Sequence, residues 1–358
     1  MNTAYEKMIN DLAPKKFGWK GNAWVAFLVV VILAGMYSYV QQLKSGLVIT
    51  GMRDYALWGI YISNFVFFVA VSLVGSLITA ILRLSGVHWS TPLTRIAEII
   101  AVAAIIMAGI TIIIDMGRPD RLLNLFLHGR LQSPILWDVI VITTYLVISL
   151  LLLYYPLLPD FSILKRHADH QGWLSKWYDR LSLNWSGNEK QVRIHAISLQ
   201  ALSIMIIPVA FAIHTVTAWL FETTYRPGWD STNFGPYFIA GAFVAGSGAV
   251  VVVMFVLRKL YSLEDYITDD HFDKMGKVLV LLCLLYLYFN INEYLIPTYK
   301  STKEEAMHLQ SLFKGEYAVL FWTVIIGGLI LPVIILLFRK GRKPLPLFLV
   351  ALAVVLGA

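Results

Sequence analysis

Nine long apolar runs dominate this chain, near residues 23–43, 55–82, 93–115, 134–156, 193–221, 236–258, 275–297, 317–338 and 344–358. Each is roughly long enough to cross ~30 Å of hydrocarbon as a helix rising ~1.5 Å per residue. Periodicity is not needed to assign helix, because lipid offers the backbone no partners and only helices or closed barrels satisfy it internally. Composition points the same way. Of 358 residues, 58% are apolar and 14% charged, where a soluble domain carries about 25% charged residues. Most soluble enzymes, nucleic-acid binders and disordered proteins are thereby excluded. The sequence predicts an all-α polytopic membrane protein, a lead helix plus two four-helix bundles with about nine transmembrane helices.

Charge sets the orientation. The first twenty residues, MNTAYEKMINDLAPKKFGWK, are polar and lack a signal-peptide cleavage pattern. They are expected to be a retained cytoplasmic lead. With the N-terminus inside, 20 of the 29 Lys and Arg residues fall in inner segments, as the positive-inside rule requires. The net charge of +7 then reads as membrane-flank bias, with no nucleic-acid partner implied. The polar stretch 157–192 reads as an interfacial hairpin on the cytoplasmic side. The ninth run ends at the last residue without a flanking charge, so the natural chain is expected to extend further. Spans two to four and spans six to eight start with an offset of about 180 residues, as parallel-repeat membrane folds do. The expected division is 1–54 for the lead and first helix, 55–221 for a first four-helix bundle, and 222–358 for a second.

Ionisable groups inside spans cost ~2.5–3.5 kcal/mol each on insertion scales, so they mark where function is to be sought. The richest case is IIIDMGRPDR at the outer end of span three. Asp115 and Asp120 stand beside Arg118 and Arg121. The arrangement reads either as a helix stop with a structural ion pair, or as a proton acceptor in a membrane pocket, set by burial against Arg118. Span two opens with Trp58, Tyr61 and Asn64, read as one helix face suited to a flat ring with oxygens at its ends; for Trp58 the aromatic belt of any membrane protein is the alternative. Asp138 opens span four. In span five, His214 is either a proton relay or a helix–helix hydrogen-bonding residue, and Glu222 approaches the outer face. Asn290 and Glu293 in span seven form a polar seam, a proton path or interhelical glue. On the inner side, Arg95 and Glu98 are spaced for an intrahelical ion pair; His88 and Glu98 could instead feed protons inward.

Metal centres are not expected in this chain. Cys283 is the single cysteine, so neither an internal disulfide nor an iron–sulfur cluster can be built. His195 and His214 share one helix about 28 Å apart and cannot ligate one haem iron; a His88–His195 pairing stays open. If the chain takes part in electron transfer, the redox metals lie on a partner.

The stretches IDMGRPDR, HTVTAW, YRPGWDSTNFGPYFIAGAFVAGSG and LEDYITDDHFDKMGKVL resemble the NrfD-type membrane subunit family over about residues 50–340. That family includes the polysulfide reductase membrane subunit, the quinone reductase complex subunit of sulfate reducers, and the two large membrane subunits of alternative complex III. Where alternative complex III often carries His three residues before the GRP arginine, this chain carries Asp115. The resemblance implies an inner-membrane, multi-pass subunit with a quinone site near the outer ends of the first bundle. It also implies an iron–sulfur subunit above that site, and further cytochrome, molybdopterin-type or membrane subunits. Menaquinone is the implied substrate, with no covalently bound cofactor. Asp115 and Arg118 match the family's GRP turn, and Tyr61 and Asn64 its second-span polar positions. On this expectation Asp115, Arg118 and His214 serve catalysis. Trp58, Tyr61, Asn64, Asp138 and Glu222 line the quinone, while His88, Glu98, Asn290 and Glu293 carry protons. A non-redox transporter or a passive membrane anchor is the alternative.

Overall fold

The structure, a computed structural model, describes residues 18–52, 58–86, 91–167, 173–224, 226, 228–300 and 302–357. All regular structure among them is helical. Eight helices among the described residues are long and apolar enough to cross a membrane. They are α1 (Trp19–Ser45), α2 (Ile60–Leu84), α3 (Thr91–Asp115), α4 (Pro134–His167), α5 (Glu189–Glu222), α6 (Phe234–Leu260), α7 (Asp269–Lys300) and α8 (Ala318–Leu337). A further apolar helix, α9 (Pro344–Gly357), has 14 described residues, about 21 Å of rise, and begins directly after the basic turn Arg339–Lys343.

α4 and α5 are longer than their apolar runs. α4 continues through Pro156 and Pro159 to His167. The Pro156 carbonyl accepts a 2.7 Å hydrogen bond from Arg95 Nη2, and the Tyr155 carbonyl, which Pro159 deprives of its helical donor, lies 2.8 Å from His195 Nε2. The expected interfacial hairpin contains a short helix, Trp173–Leu181. It folds back onto α4 through an ion pair between Lys165 and Asp179 and a 2.7 Å bond from Tyr154 Oη to the Leu181 carbonyl.

Two buried clusters hold the helices together. The first takes Phe65, Leu73 and Leu77 of α2 with Ile105, Tyr145 and Ile206 from α3, α4 and α5. The second takes Val250 and Met254 of α6 with Phe272, Leu279, Leu336 and Leu347 from α7, α8 and α9. α2 and α6 pack directly on each other and join the two. Lipid tails are as apolar as leucine, so close backbone approach replaces hydrophobic burial as the source of packing. At Gly75 an added Cβ would lie 2.5 Å from the Ala97 carbonyl oxygen, and at Gly246 one would lie 2.4 Å from Val74 Cγ2. α1 stands apart, and Gln42 is its single buried residue.

Candidate functional site

The end of the bundle where α3 finishes and α2 begins gathers the largest share of the expected residues. Asp115 is the last residue of α3, and its Oδ1 is buried with no hydrogen-bond partner among the described residues. One residue earlier, the Ile114 carbonyl accepts a 2.7 Å bond from Gln42 Nε2 of α1. Gln42 Oε1 in turn accepts a 2.9 Å bond from Tyr61 Oη of α2. Three helices thus meet at one amide, beside a carboxylate with one oxygen unused. Gln42 is not legible in the sequence, where Gln41 and Gln42 look like the polar flank of an apolar run; its burial on an otherwise exposed helix marks it.

The other expected members of this corner are placed differently. Arg118 does not oppose Asp115. Its Nε and Nη2 donate to Asp120 Oδ1 and Oδ2 at 3.0 and 2.9 Å, with both side chains more than half exposed. The Pro119–Arg121 turn brings the two within reach in water, where the pair needs no desolvation. The guanidinium holds the Asp120 carboxyl below the usual carboxylate range. Asn64, one turn deeper than Tyr61, is exposed. Trp58 precedes α2 and turns to a different neighbourhood. It stacks on Trp229 at 5.4 Å between ring centroids and meets Phe221 edge-on at 5.0 Å. The expected aromatic wall is therefore split: the chain enters α2 only at Ile60, so helical spacing does not apply to Trp58.

Behind this aromatic cluster lies a second polar group. Thr217 Oγ1 donates a 2.7 Å bond to Asp138 Oδ1, joining α5 to α4, and both residues are buried. One turn along α5, His214 is wholly buried. Its Nδ1 lies 3.4 Å from the Ala210 carbonyl, and Nε2 has no partner among the described residues. The His214 ring lies 6.0 Å from Phe238 of α6, so it faces a different neighbour from Thr217, which holds Asp138.

At the opposite end of the bundle Glu98 is buried and pairs with Arg83 of α2 at 2.5 Å. The expected Arg95–Glu98 pair is corrected: Arg95 reaches Asp160 of α4 at 3.0 Å. Interhelical partners are available on both sides of α3, so neither group depends on its own helix. His88 lies outside the described residues. From Arg83 a polar face runs along α2 through Thr79, Ser76 and Ser72. Tyr145 Oη donates to the Ser72 carbonyl at 2.7 Å and lies 2.8 Å from Ser76 Oγ, whose hydroxyl can donate to it. Ser76 Oγ lies 3.4 Å from Ser149 Oγ. The spacing of 72, 76, 79 and 83 on one helical face is the sequence signal by which this seam could have been found.

Glu222, Asn290 and Glu293 belong elsewhere. Glu222 Oε1 stands beside Gly235 at the start of α6, 3.4 Å from where a Cβ on that glycine would lie. Glu293 accepts from Ser231 Oγ at 2.7 Å and Asn233 Nδ2 at 3.1 Å, tying the loop before α6 to α7. Asn290 Nδ2 donates to the Tyr286 carbonyl at 2.9 Å within α7. Asn290 and Glu293 therefore stand on α7 and do not continue the polar face of α2.

The family model described as "Polysulphide reductase, NrfD" matches residues 48–358. The chain belongs to the NrfD family. Its curated relatives include a putative dimethyl sulfoxide reductase membrane subunit from Halobacterium salinarum, 30% identical over 66% of this chain and 52% of that one. A selenate reductase subunit from Mesobacillus selenatarsenatis is 22% identical over 92% of this chain and 78% of its own length. An Hdr-like menaquinol oxidoreductase integral membrane subunit from Archaeoglobus fulgidus is 23% identical over 90% and 73%. The chain spans about half the length of the first of these. Membership accounts for the multi-pass helical architecture; what this NrfD-family chain does with its Asp115 corner is a separate question.

Proposed function

We propose that this chain is the quinone-binding integral membrane subunit of a respiratory oxidoreductase complex in the cytoplasmic membrane. In this reading it mediates electron exchange between a menaquinol-type lipid carrier and an iron–sulfur partner docked at the Asp115 end. The observation that carries it is the unpartnered buried oxygen of Asp115 beside the Tyr61–Gln42–Ile114 bridge. A buried acceptor costs free energy unless something donates to it, and a hydroquinone hydroxyl is such a donor. The names of the relatives, two reductase subunits and a menaquinol oxidoreductase membrane subunit, point to the same chemistry.

Oxidation of a hydroquinone to a quinone releases two electrons and two protons. The electrons pass to the partner. Asp115 accepts one proton, and the other leaves toward the aqueous rim where Arg118 and Asp120 stand. His214 and Asp138 lie deeper and are closed off, so they do not touch the ring; they serve as buried proton acceptors behind it. Tyr61 and Gln42 orient the ring, whereas Trp58 supports the wall. Quinone reduction uses the same groups in reverse, and the partner's potential sets the direction. A passive anchor has no use for a buried carboxylate oxygen without a partner among the described residues.

Proton translocation is a second reading, favoured by the polar face of α2. From Arg83 to Ser72 it spans about 16 Å, and it begins at Glu98, which keeps one buried oxygen free among the described residues.

The deciding experiment is Asp115→Asn in the assembled complex. Quinol-dependent electron transfer is expected to fall by about a hundredfold or more while the partners still assemble. Wild-type turnover in that variant overturns the assignment.

A further inference from the structure

A cavity of about 240 Å³ lies among α6, α7 and α8, with Leu312 of the helix Lys303–Phe313 and Gly357 of α9 in its wall, and none of its described lining residues belongs to α1–α5. Its walls are unlike those of an ordinary packing void. Tyr237 and Tyr286 stack at 5.2 Å with their rings 19° apart, and Tyr286 Oη donates to Tyr237 Oη at 3.2 Å. Tyr294 and the carboxamide of Asn290 complete a polar end; the remaining walls are apolar. Exposed Tyr317 and Leu320 form its mouth.

The facing wall carries an independent sign of a built site. α8 changes from α- to π-helix over Thr323–Ile330, and that stretch supplies Val324, Ile325, Gly328 and Leu329 to the cavity. π-Segments are rare and concentrate at functional sites because they widen a helix at a cost in hydrogen-bond geometry. Here Pro332 follows directly and has no N–H to return to the Gly328 carbonyl, which favours the irregular ladder.

We propose that this cavity binds the head of a second lipid-soluble quinone, a planar ring bearing two carbonyl oxygens, separate from the Asp115 corner. The stacked phenols offer a flat π-face. Tyr237 accepts from Tyr286 and keeps its own proton, so its hydroxyl and the second N–H of the Asn290 carboxamide can donate to the ring oxygens. The volume lies just below the ~300–1,000 Å³ of drug-sized pockets, so it takes the ring alone, and the isoprenoid tail leaves past Leu320. The described lining residues include no carboxylate and no imidazole. The site therefore holds a neutral ring without supplying a proton acceptor, which suits retention of a carrier and not its turnover. This inference stands independently of the role proposed for Asp115.

The test uses the membrane-embedded protein and an azido-substituted, short-tailed naphthoquinone as photolabel. Wild-type protein is expected to be labelled on peptides covering 286–294 and 317–329, and excess unlabelled naphthoquinone competes that label away. Leu320→Trp, which closes the mouth at an exposed position, reduces the label about tenfold or more. Tyr237→Phe, which removes one hydroxyl from the stacked pair, reduces it several-fold. Absence of label on these peptides in the wild type overturns the proposal. So does label that neither variant reduces, or label displaced by added phospholipid but not by naphthoquinone, which would assign the cavity to an acyl chain.

Discussion

Tyr61 Oη on α2 donates to Gln42 Oε1 on α1 at 2.9 Å, and Gln42 is the only residue that α1 buries. One amide side chain therefore bridges the first helix to α2 and, through the Ile114 carbonyl, to α3. Tyr61→Phe removes one of the two bonds, a loss of about 0.5–1.5 kcal/mol. The expected result is little change in the melting temperature of the whole protein. Hydrogen–deuterium exchange should instead accelerate through residues 37–45. Unchanged exchange there would show that α1 is anchored by other means.

The buried Asp138–Thr217 pair makes a sharper stability prediction. Thr217→Val keeps the shape and leaves Asp138 Oδ1 without its donor, at a cost of about 1–3 kcal/mol. Thr217→Ser keeps the hydroxyl and recovers most of it. Unfolding in detergent distinguishes the two; equal midpoints for the Val and Ser variants would contradict the hydrogen-bond account.

Glu98 and Arg83 form a buried interhelical ion pair at 2.5 Å. Removing one partner strands a buried charge, which costs about 3–5 kcal/mol in comparable cases. Arg83→Met is therefore expected to destabilise strongly, and the double variant Arg83→Met, Glu98→Leu to recover much of the loss. A double variant no more stable than the single one would rule out charge stranding as the cause.

His308 lies outside the spans, in the helix Lys303–Phe313, against Gly228 of the loop before α6. Partial burial pushes its imidazole below the ordinary value of 6.5. The folded state thus binds a proton more weakly than the unfolded one. The stability this group contributes is fully present above about pH 6.5 and is lost as pH falls through the depressed folded value. His308→Gln should flatten the pH dependence of the melting temperature below about pH 6.5 while leaving it unaltered at about pH 8. An identical slope in wild type and variant would exclude His308 as its source.

The membrane architecture is legible because apolar length is dictated by the solvent. Eight of the expected runs are, among the described residues, helices long and apolar enough to cross a membrane, and the ninth forms the apolar helix α9. Asp115, Asp138, His214 and Glu98 are legible as expensive residues, since a charge or an imidazole in a greasy run needs a reason to be there. Their partners are far less so. Glu98 chooses Arg83, and Trp58 chooses Trp229, because pairing depends on which elements become neighbours and sequence spacing speaks only for one helix at a time. Neutral polar residues are the hardest to read. Gln42, Thr217 and the Ser72–Tyr145–Ser76 group carry no cost large enough to stand out, yet they make the contacts that position the charged groups. The tyrosine-lined cavity depends on a helix widening that no periodicity announces.

A helix fastened over a single turn behaves as a door leaf on one hinge. Swinging α1 away from α2 and α3 breaks the two Gln42 hydrogen bonds and the 3.5 Å bond from Tyr39 Oη to the Ile113 carbonyl, about 1.5–4.5 kcal/mol in total, and disturbs neither buried cluster. A long-tailed molecule could thus pass sideways between bilayer and carboxylate at a thermal cost of a few RT, without the bundle having to breathe. Traffic at the Asp115 corner would then be governed by the first helix, the part of the chain that contributes least to holding the fold together.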